Sequence, residues 1–345
     1  MNDKERLYSI AVLGGGSWGI AFSVHLYSLG HKVSIWEFNR EDAIELALRR
    51  EHKTKLPGVM IPNEIEISNN LSEVIKDAEI IVIAIPSHTV RSVSRKLSEL
   101  LSDNGPLIVN LSKGLEVESL KRMSEVIIEE LDTGYKNKVM TLSGPSHAEE
   151  VSRRMPTTVA IAGQDLQNLS YVQNAFSSKY FRVYTNADLI GVELAGSLKN
   201  VIAIAAGICD GLGLGDNTKG ALLTRGLAEM TRLGVAMGAA RETFSGLAGI
   251  GDLVATCLSG HSRNRLFGEK IGKGENFDDA LSEMIMVAEG IKTTKVAVRL
   301  ADKYEVEMPI AKEVFNVLFG GKEPRVAVID LMTREPKSEA YLYGK

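Results

Sequence analysis

The first residues whose types and spacing suggest chemistry form a glycine-rich stretch near the amino terminus. It reads IAVLGGGSWG, an apolar run that leads into Gly14, Gly16 and Gly19 at the spacing GxGxxG. Between a strand and a helix, such glycines permit a tight turn and a close backbone approach to a pyrophosphate, which the N–H groups of the helix N-terminus bind. We therefore expect a dinucleotide on this loop, with the backbone N–H groups of Ser17 and Trp18 as donors. A glycine-rich turn that holds no ligand is the alternative.

An acidic residue follows the next apolar run. Glu37 comes about twenty positions after the glycines, where a carboxylate can accept hydrogen bonds from an adenosine ribose and repels a 2′-phosphate. This position favours NAD over NADP, although Arg40 is close enough in sequence to accommodate the phosphate of NADP. Phe38 is a candidate for stacking on adenine. The alternatives are that Glu37 is a solvated strand end and that Phe38 fills a surface groove.

Short β-branched runs alternate with helical patterns through the first half of the chain. This alternation predicts a doubly wound, Rossmann-like α/β domain, which we place at residues 1–187 as the dinucleotide-binding domain. After about Asn186 the strand signals fade, and helical patterns rich in Ala, Leu and Gly predict an all-α substrate-binding domain over residues 188–345. The predicted strands are Leu7–Leu13, Lys32–Trp36, Glu79–Ile85, Leu107–Leu111, Val139–Leu142 and Thr157–Ala162, with helices such as Trp18–Leu29 and Ser87–Leu101.

The composition excludes several classes of protein. With 345 residues, 44% hydrophobic and 24% charged, the chain is of ordinary globular composition and long enough for two domains. A net charge of -4 argues against a surface built to bind nucleic-acid phosphates. Two cysteines, Cys209 and Cys257, make neither a disulfide framework nor a multi-cysteine zinc site, so we expect no metal. The charged amino terminus lacks a signal-peptide core, and the longest apolar run, Val201–Cys209, is short for a membrane span, so we expect a soluble cytoplasmic protein.

Several long motifs extend from Ser9 to Glu289. They are GGGSWG (14–19), NLSKGLE (110–116), SGPSHAEEV (143–151), FRVYTN (181–186), GVELAGSLKNVIAIAAGICDGLGLGDNTKGALLTRGL (191–227), TFSGLAGIGDL (243–253) and SRNR (262–265). Together they resemble the NAD(P)-dependent glycerol-3-phosphate dehydrogenases, and the bacterial type in particular. The resemblance implies hydride transfer that interconverts dihydroxyacetone phosphate and sn-glycerol 3-phosphate, supplying glycerophospholipid biosynthesis.

The resemblance also implies a catalytic group. Lys199 matches the family's proton donor and acceptor, and the apolar run that follows it predicts a buried helix. A lysine serves this role when burial or a second cation moves its pKa toward neutrality. Lys113 matches a position beside substrate and cofactor and could be that cation, unless it is an ordinary solvated lysine. Asp252 is expected to orient the ammonium of Lys199, with Thr256 one helical turn on; alternatively, Asp252 caps the following helix.

The remaining residues implied by the resemblance contact substrate or cofactor. Ser262, Arg263 and Asn264 are expected to hold the substrate phosphate, because arginine presents a planar fork to phosphate oxygens. Arg265 is a second cation nearby, and surface exposure without a ligand is the alternative for these arginines. Further expected contacts are Gly144, Ser146, Lys113, Lys199 and Asp252 for the substrate, and Phe38, Lys113, Ala148, Arg263, Val287 and Glu289 for the cofactor.

Two other functions fit the same residues. A hydroxyacid or ketopantoate-type dehydrogenase also joins a dinucleotide domain to a helical one and uses a lysine, but it binds a carboxylate. A non-catalytic dinucleotide sensor needs the glycine loop but has no use for a buried Lys199 with Asp252. For the preferred function we expect a cleft between the domains, a small phosphorylated substrate, and a homodimer formed through the apolar helical domain.

Overall fold

The computed structural model describes residues 6–102, 105–284, 286–336 and 338–339. These residues form two compact units. The first contains the chain up to Ser112 together with Met123–Leu189, and the second contains Lys113–Arg122 and the chain from Ile190 onward. The segment Lys113–Arg122, which the sequence-based division at residue 187 leaves with the sheet, therefore belongs to the second unit. Its ion pairs with residues far along the chain, described below, account for this placement.

The first unit is built on an eight-stranded sheet with the order β3-β2-β1-β4-β5-β6-β7-β8. Neighbouring strands are parallel except for β6 and β7, which are antiparallel. The chain crosses from one side of β1 to the other between β3 and β4, and ligands of such sheets bind where the strand order reverses. The strands are β1 (Ser9–Leu13), β2 (Lys32–Trp36), β3 (Glu66–Ser68), β4 (Ile80–Ile83), β5 (Leu107–Asn110), β6 (Val139–Ser143), β7 (Thr157–Ala162) and β8 (Phe181–Asn186).

Both faces of this sheet are buried. Alternate residues of β1 enter two separate cores: Ile10 and Val12 pack in one, and Ala11 and Leu13 in the other. A strand buried on both sides is apolar throughout, which is why these runs could be recognised in the sequence. The helices of this unit are α1 (Ser17–Ser28), α2 (Arg40–Arg49), α3 (Leu71–Val74), α4 (Val90–Ser98), α5 (Met123–Leu131), α6 (Ala148–Ser152) and α7 (Leu166–Phe176).

The predicted doubly wound domain is confirmed, with two strands that the sequence analysis missed. β3 has only three residues and lies at one edge. β8 lies at the other edge, where it begins with buried and exposed residues in alternation instead of a continuous apolar run. Edge strands of this kind give weak signals because only part of their surface is buried.

The second unit is helical, as predicted. Within the described residues its first helix, α8 (Leu189–Gly211), passes through the centre of the unit, and its last helix ends at Met332. Within the glycine-rich GLGLGDNTKG stretch, residues 212–215 connect α8 to the next helix, which begins at Asp216. The other helices are α9 (Asp216–Ala236), α10 (Arg241–Phe244), α11 (Asp252–Leu258), α12 (Arg263–Gly272), α13 (Phe277–Ser282), α14 (Glu289–Lys303), α15 (Pro309–Phe319) and α16 (Pro324–Met332).

Helix α8 is the core helix of this unit. The apolar runs of the sequence were too short to predict a membrane span, but this helix of 23 residues is long and apolar enough to cross a membrane. Of its most apolar stretch, 94% is buried within the protein. Its packing against α12 is close: a Cβ on Gly207 would overlap the carbonyl oxygen of Arg265, and one on Gly268 would overlap that of Ile204. Glycines thus bring the backbones of the two helices together along the second half of α8.

Candidate active site

Lys199 lies on α8 and is 5% exposed. Its Nζ donates hydrogen bonds to Asp252 Oδ1 at 2.5 Å and to Thr256 Oγ1 at 2.5 Å. A buried ammonium is tolerated only when it is paired and hydrogen-bonded, and these two contacts meet that need. The expectation that Lys199 sits on a buried helix is therefore confirmed.

Asp252 is the first residue of α11 and accepts hydrogen bonds from two lysines. Its Oδ2 accepts a hydrogen bond from Lys113 Nζ at 2.6 Å, while its Oδ1 accepts from Lys199 and from Thr256 Oγ1, the latter at 3.2 Å. Gly251 occupies the N-cap position, and no side chain caps this helix. The alternative in which Asp252 serves as the cap is therefore wrong, since its carboxylate is bonded to the two lysines.

A tight turn before α11 places the side chain of Asp252 inside the protein. The residues before α11, Leu247–Gly251, form a π-helical turn in which Gly249 departs from helical backbone angles. A Cβ on Gly249 would overlap the backbone of Phe244, so the chain can fold back this closely only at a glycine. The sequence GLAGIGD thus encodes a sharp entry into α11 that delivers a carboxylate to the interior.

Burial and neighbouring charges shift the pKa of Lys199. Burial lowers the pKa of Lys199 to about 8, with the positive charge of Lys113 acting in the same direction and Asp252 opposing it. Burial alone would raise the pKa of Asp252, but the ammonium groups of Lys113 and Lys199 outweigh it and hold that pKa below its usual value. Cys257 stays a thiol, because burial raises its pKa to about 12. The cluster therefore holds an amine that can give or take a proton near neutral pH, beside a carboxylate that remains ionised.

The residues expected to bind phosphate surround the start of α12. Ser262 is the N-cap, and its hydroxyl accepts a hydrogen bond from the backbone N–H of Arg265 at 3.3 Å. Arg263 is exposed, with its Nη1 3.4 Å from the carbonyl oxygen of Val287. Arg265, the second cation suggested by the sequence, forms ion pairs with Asp210 and Glu269 at 2.9 and 2.8 Å.

Asn264 connects three helices. Its Nδ2 donates to Asn200 Oδ1 at 3.0 Å on α8, and its Oδ1 accepts from the backbone N–H of Gly290 at 2.9 Å on α14. Asn200 was not among the predicted site residues, although it directly follows Lys199. Its signal was available, because a buried amide next to a buried lysine needs a polar partner. Glu289, another expected cofactor contact, begins α14 next to Gly290, and Val287 lies just before it, 39% exposed.

In the first unit, the glycine loop has the geometry that a pyrophosphate requires. The backbone N–H of Gly14 donates to Trp36 at 2.8 Å and its φ is +126°, a conformation that favours glycine. A Cβ on Gly19 would overlap the carbonyl oxygen of Gly14, so α1 can begin this close to the loop only with glycine there. Gly16 is the N-cap of α1, and apart from its own chain neighbours no atom of the described residues lies within 4 Å of the place its Cβ would take.

This open space fits a bound phosphate. It faces a helix N-terminus whose N-cap has no side chain, and Ser17 and Trp18 supply the first backbone N–H groups of α1. Positive partial charge and backbone donors at such an end favour an anion. The loop therefore fits the pyrophosphate of a dinucleotide.

Glu37 has a specific partner at the end of β2. Its Oε2 accepts a hydrogen bond from the backbone N–H of Gly15 at 3.1 Å, so the carboxylate supports the glycine loop and is more than a solvated strand end. Phe38 is 69% exposed, and Lys96 Nζ lies 5.0 Å from the centre of its ring. Arg40 begins α2 nearby.

Three more expected contacts follow β6. Gly144 has a φ of +140°, and Ser146 Oγ donates to its carbonyl oxygen at 3.0 Å. Ala148 is the buried first residue of α6. These residues belong to the first unit with the glycine loop, whereas Lys113, Lys199, Asp252, Thr256 and the start of α12 belong to the second.

Comparison with known proteins gives one consistent result. Residues 9–169 match the family model described as NAD-dependent glycerol-3-phosphate dehydrogenase N-terminus, and residues 188–329 match that of the C-terminus. A protein of Thermoanaerobacter sp. named glycerol-3-phosphate dehydrogenase (NAD(P)+) is 52% identical over 332 residues, which cover 96% of this chain and 99% of that protein. One of the same name from Fusobacterium nucleatum is 49% identical, with coverage of 96% and 99%. The crystal structure of a glycerol-3-phosphate dehydrogenase from Coxiella burnetii matches with a TM-score of 0.90 at 37% identity, covering 95% of this chain and 99% of that one.

Proposed function

The chain belongs to the NAD-dependent glycerol-3-phosphate dehydrogenase family, and from this premise we propose that Lys199 is its general acid and base. The reaction interconverts dihydroxyacetone phosphate and sn-glycerol 3-phosphate. The observation that carries the proposal is the contact of Lys199 Nζ with Asp252 and Thr256 at 2.5 Å inside an apolar core. This environment lowers the pKa of Lys199 to about 8, close to the pH at which proton transfer must occur.

The nicotinamide cofactor supplies or accepts the hydride at the C2 carbon of the substrate. Lys199 gives a proton to the C2 oxygen during reduction and removes it during oxidation. An ammonium has three N–H donors, and in the described part of the chain Asp252 and Thr256 take two, which leaves one for that oxygen. Lys113 stabilises the negative charge that develops on the oxygen, and Asp252 keeps both ammonium groups in place.

The substrate phosphate is held at the start of α12. The exposed guanidinium of Arg263 offers a fork to the phosphate oxygens, and the hydroxyl of Ser262 has its own proton left to donate. Asn264 fixes this helix start between α8 and α14 through its two amide contacts. Gly144 and Ser146 complete the proposed substrate contacts. Binding energy from the non-reacting phosphate then helps to position C2.

The cofactor is NAD or NADP, and we propose a preference for NAD. The carboxylate of Glu37 lies at the end of β2, where it repels a 2′-phosphate. Its hydrogen bond to Gly15 supports this placement. The proposed cofactor contacts are Gly14, Gly16, Ser17, Trp18, Gly19, Glu37, Phe38, Lys113, Ala148, Arg263, Val287 and Glu289.

The proposed cellular role is to supply sn-glycerol 3-phosphate for glycerophospholipid synthesis in the cytoplasm, by a homodimer. Loss of the protein should then deplete glycerophospholipid precursors and be relieved by added glycerol 3-phosphate. Light scattering of the purified protein tests the dimer directly, because a monomer would show half the expected mass.

The activity is tested by following NADH and NADPH oxidation with three substrates. Dihydroxyacetone phosphate should support turnover, whereas dihydroxyacetone, which lacks the phosphate, and ketopantoate, which carries a carboxylate, should not. Faster turnover with NADH would support the cofactor preference. Turnover with ketopantoate alone would overturn the substrate assignment, and binding of NADH without any turnover would point to a sensor.

A further inference from the structure

We propose that Arg122 and Glu193 form a latch that positions Lys113 for the reaction. Lys113 begins the segment Lys113–Arg122, and Arg122 ends it. The latch acts through this segment, so its two members are positioning residues and not catalytic ones. The inference rests on the proposed function, because the latch affects the reaction only if Lys199 transfers the proton.

The segment is fastened to the helical unit at three places. At its start, Lys113 Nζ lies 2.6 Å from Asp252 Oδ2. In its middle, the guanidinium of Arg299 on α14 donates to the carbonyl oxygen of Val117. At its end, Arg122 Nη1 lies 2.6 Å from Glu193 Oε2 on α8. The chain leaves the sheet unit after Ser112 and returns to it at Met123, so these contacts keep the segment with the helical unit.

The ends of the segment are also joined to each other. Leu115 and Arg122 form an isolated antiparallel bridge, and the backbone N–H of Glu116 donates to the carbonyl oxygen of Lys121 at 2.9 Å. The segment is therefore a closed loop, in which Arg122 constrains the backbone at Leu115, two residues after Lys113. A contact at one end can thus control a side chain at the other.

The side-chain ion pair at Arg122 is the more buried of the two. The side chain of Glu193 is 3% exposed and that of Arg122 12%, whereas that of Lys113 is 21% exposed. Removing one partner of a buried ion pair is strongly unfavourable because the other charge stays behind without compensation. Lys113 is a flexible side chain near solvent, and its contact with Asp252 depends more on where the backbone holds it.

Glu193 also lies on the helix that carries Lys199. The two are about 9 Å apart along the axis of α8, at about 1.5 Å per residue. The latch therefore attaches the loop that carries Lys113 to the same helix that carries Lys199. One ammonium on α8 and one on the loop are then brought to a single carboxylate in a reproducible arrangement.

The chemical consequence follows from the titratable groups that face Lys199. Among the described residues these are Asp252 and the neutral thiol of Cys257 on α11, and Lys113 on the loop. Lys113 lowers the pKa of Lys199, and Asp252 raises it. If the loop loosens, Lys113 moves away and the pKa of Lys199 rises. In the reduction direction, Lys199 must be protonated, so the alkaline decline in activity moves to higher pH.

Glu193→Gln tests the latch in the full-length enzyme, because it removes the charge and keeps the shape. Glu313→Gln is the matched control: Glu313 forms a partly buried ion pair with Lys322 at 2.5 Å in the same unit. Arg122→Lys is the conservative variant that keeps the positive charge. The readouts are amide hydrogen exchange of residues 113–122, the pH profile of kcat/KM for dihydroxyacetone phosphate, and NADH binding.

For Glu193→Gln we expect faster exchange confined to residues 113–122, a decline that moves to higher pH, and kcat/KM lower by about tenfold, since misplaced catalytic groups lose rate steeply. NADH binding should stay within about twofold, and Arg122→Lys, which keeps a positive charge beside Glu193, should lose less activity than Glu193→Gln. Unchanged loop exchange and pH profile, or a uniform loss of protection equal to that of Glu313→Gln, would overturn the proposal.

Two further outcomes remain decisive. If Glu193→Gln does not fold, Glu193→Asp replaces it, because it keeps the negative charge but draws the carboxylate back from Arg122 by one methylene group. The same local exchange and direction of pH shift must then appear, and their absence would overturn the latch. If the wild-type enzyme has no turnover, the proposed function fails, whereas loop exchange still decides whether the latch holds the segment.

Discussion

Lys113 and Lys199 share one carboxylate, each donating to a different oxygen of Asp252, at 2.6 and 2.5 Å. Two ammonium groups so close together repel each other unless an anion lies between them. Asp252 is 2% exposed and is that anion. The arrangement lets the two neighbours act on Lys199 in opposite directions, since Lys113 lowers the pKa of Lys199 and Asp252 raises it.

Replacing Asp252 by Asn should lower the pKa of Lys199, because the charge that favours its protonated form is lost. In dihydroxyacetone phosphate reduction the alkaline decline should therefore move to lower pH, and kcat should fall on the order of a hundredfold. Stability should fall by about 3–5 kcal/mol, since a buried carboxylate that pairs with two cations is removed. A pH-rate profile and urea unfolding measure both effects. Asp330→Asn, which removes a carboxylate 2.6 Å from Lys322, is the control and should change neither the profile nor kcat.

Replacing Lys113 by Met should have the opposite effect on the pH profile. Without the second cation the pKa of Lys199 rises, so the alkaline decline should move to higher pH. The rate should still fall by about tenfold or more, because Lys113 also stabilises charge on the substrate oxygen. If the Lys113 and Asp252 variants shift the decline in the same direction, the shared-carboxylate account is wrong.

Replacing Gly16 by Ala tests the dinucleotide loop. Its φ is -79°, which alanine adopts easily, and its Cβ would enter open space, so folding should be unaffected. The methyl group would occupy room needed by the pyrophosphate, and we expect NADH to bind about tenfold or more weakly. Fluorescence titration with NADH and a melting curve separate these two effects.

The matched control for Gly16→Ala is Gly215→Ala. Gly215 is also a helix N-cap with a φ of -79° and open space at its Cβ, but it begins α9 in the helical unit. Both variants should melt alike. NADH binding that is equally strong in both would contradict the role given to the loop.

Much of the fold could be predicted from the sequence because local patterns carry it. The bounds predicted for the strands now named β2 and β7 agree with the structure, since short runs rich in β-branched residues are typical of strands. The short edge strand β3 and the reversal between β6 and β7 depend on distant partners and left no comparable local pattern. Tertiary packing decides such features.

In the site, too, local spacing could be predicted from the sequence, whereas contacts between distant residues could not. Thr256 was predicted because it lies one helical turn after Asp252, and spacing within a helix can be read from the sequence. The Arg122–Glu193 ion pair joins residues 71 positions apart, and no local pattern reports it. The ion pairs of Arg265 with Asp210 and Glu269 are likewise visible only in the structure, because the sequence shows that a residue is charged but not which residue it pairs with.

The central claim, that Lys199 transfers the proton, is tested most directly by Lys199→Ala. Lys219→Ala is the control, because Lys219 belongs to the same unit and pairs with Asp210 at 2.6 Å. NADH oxidation with dihydroxyacetone phosphate should fall by about a hundredfold to ten-thousandfold in the Lys199 variant, while NADH binds within about twofold of wild type. The control should retain wild-type turnover. Turnover of Lys199→Ala equal to that of the control would contradict the account.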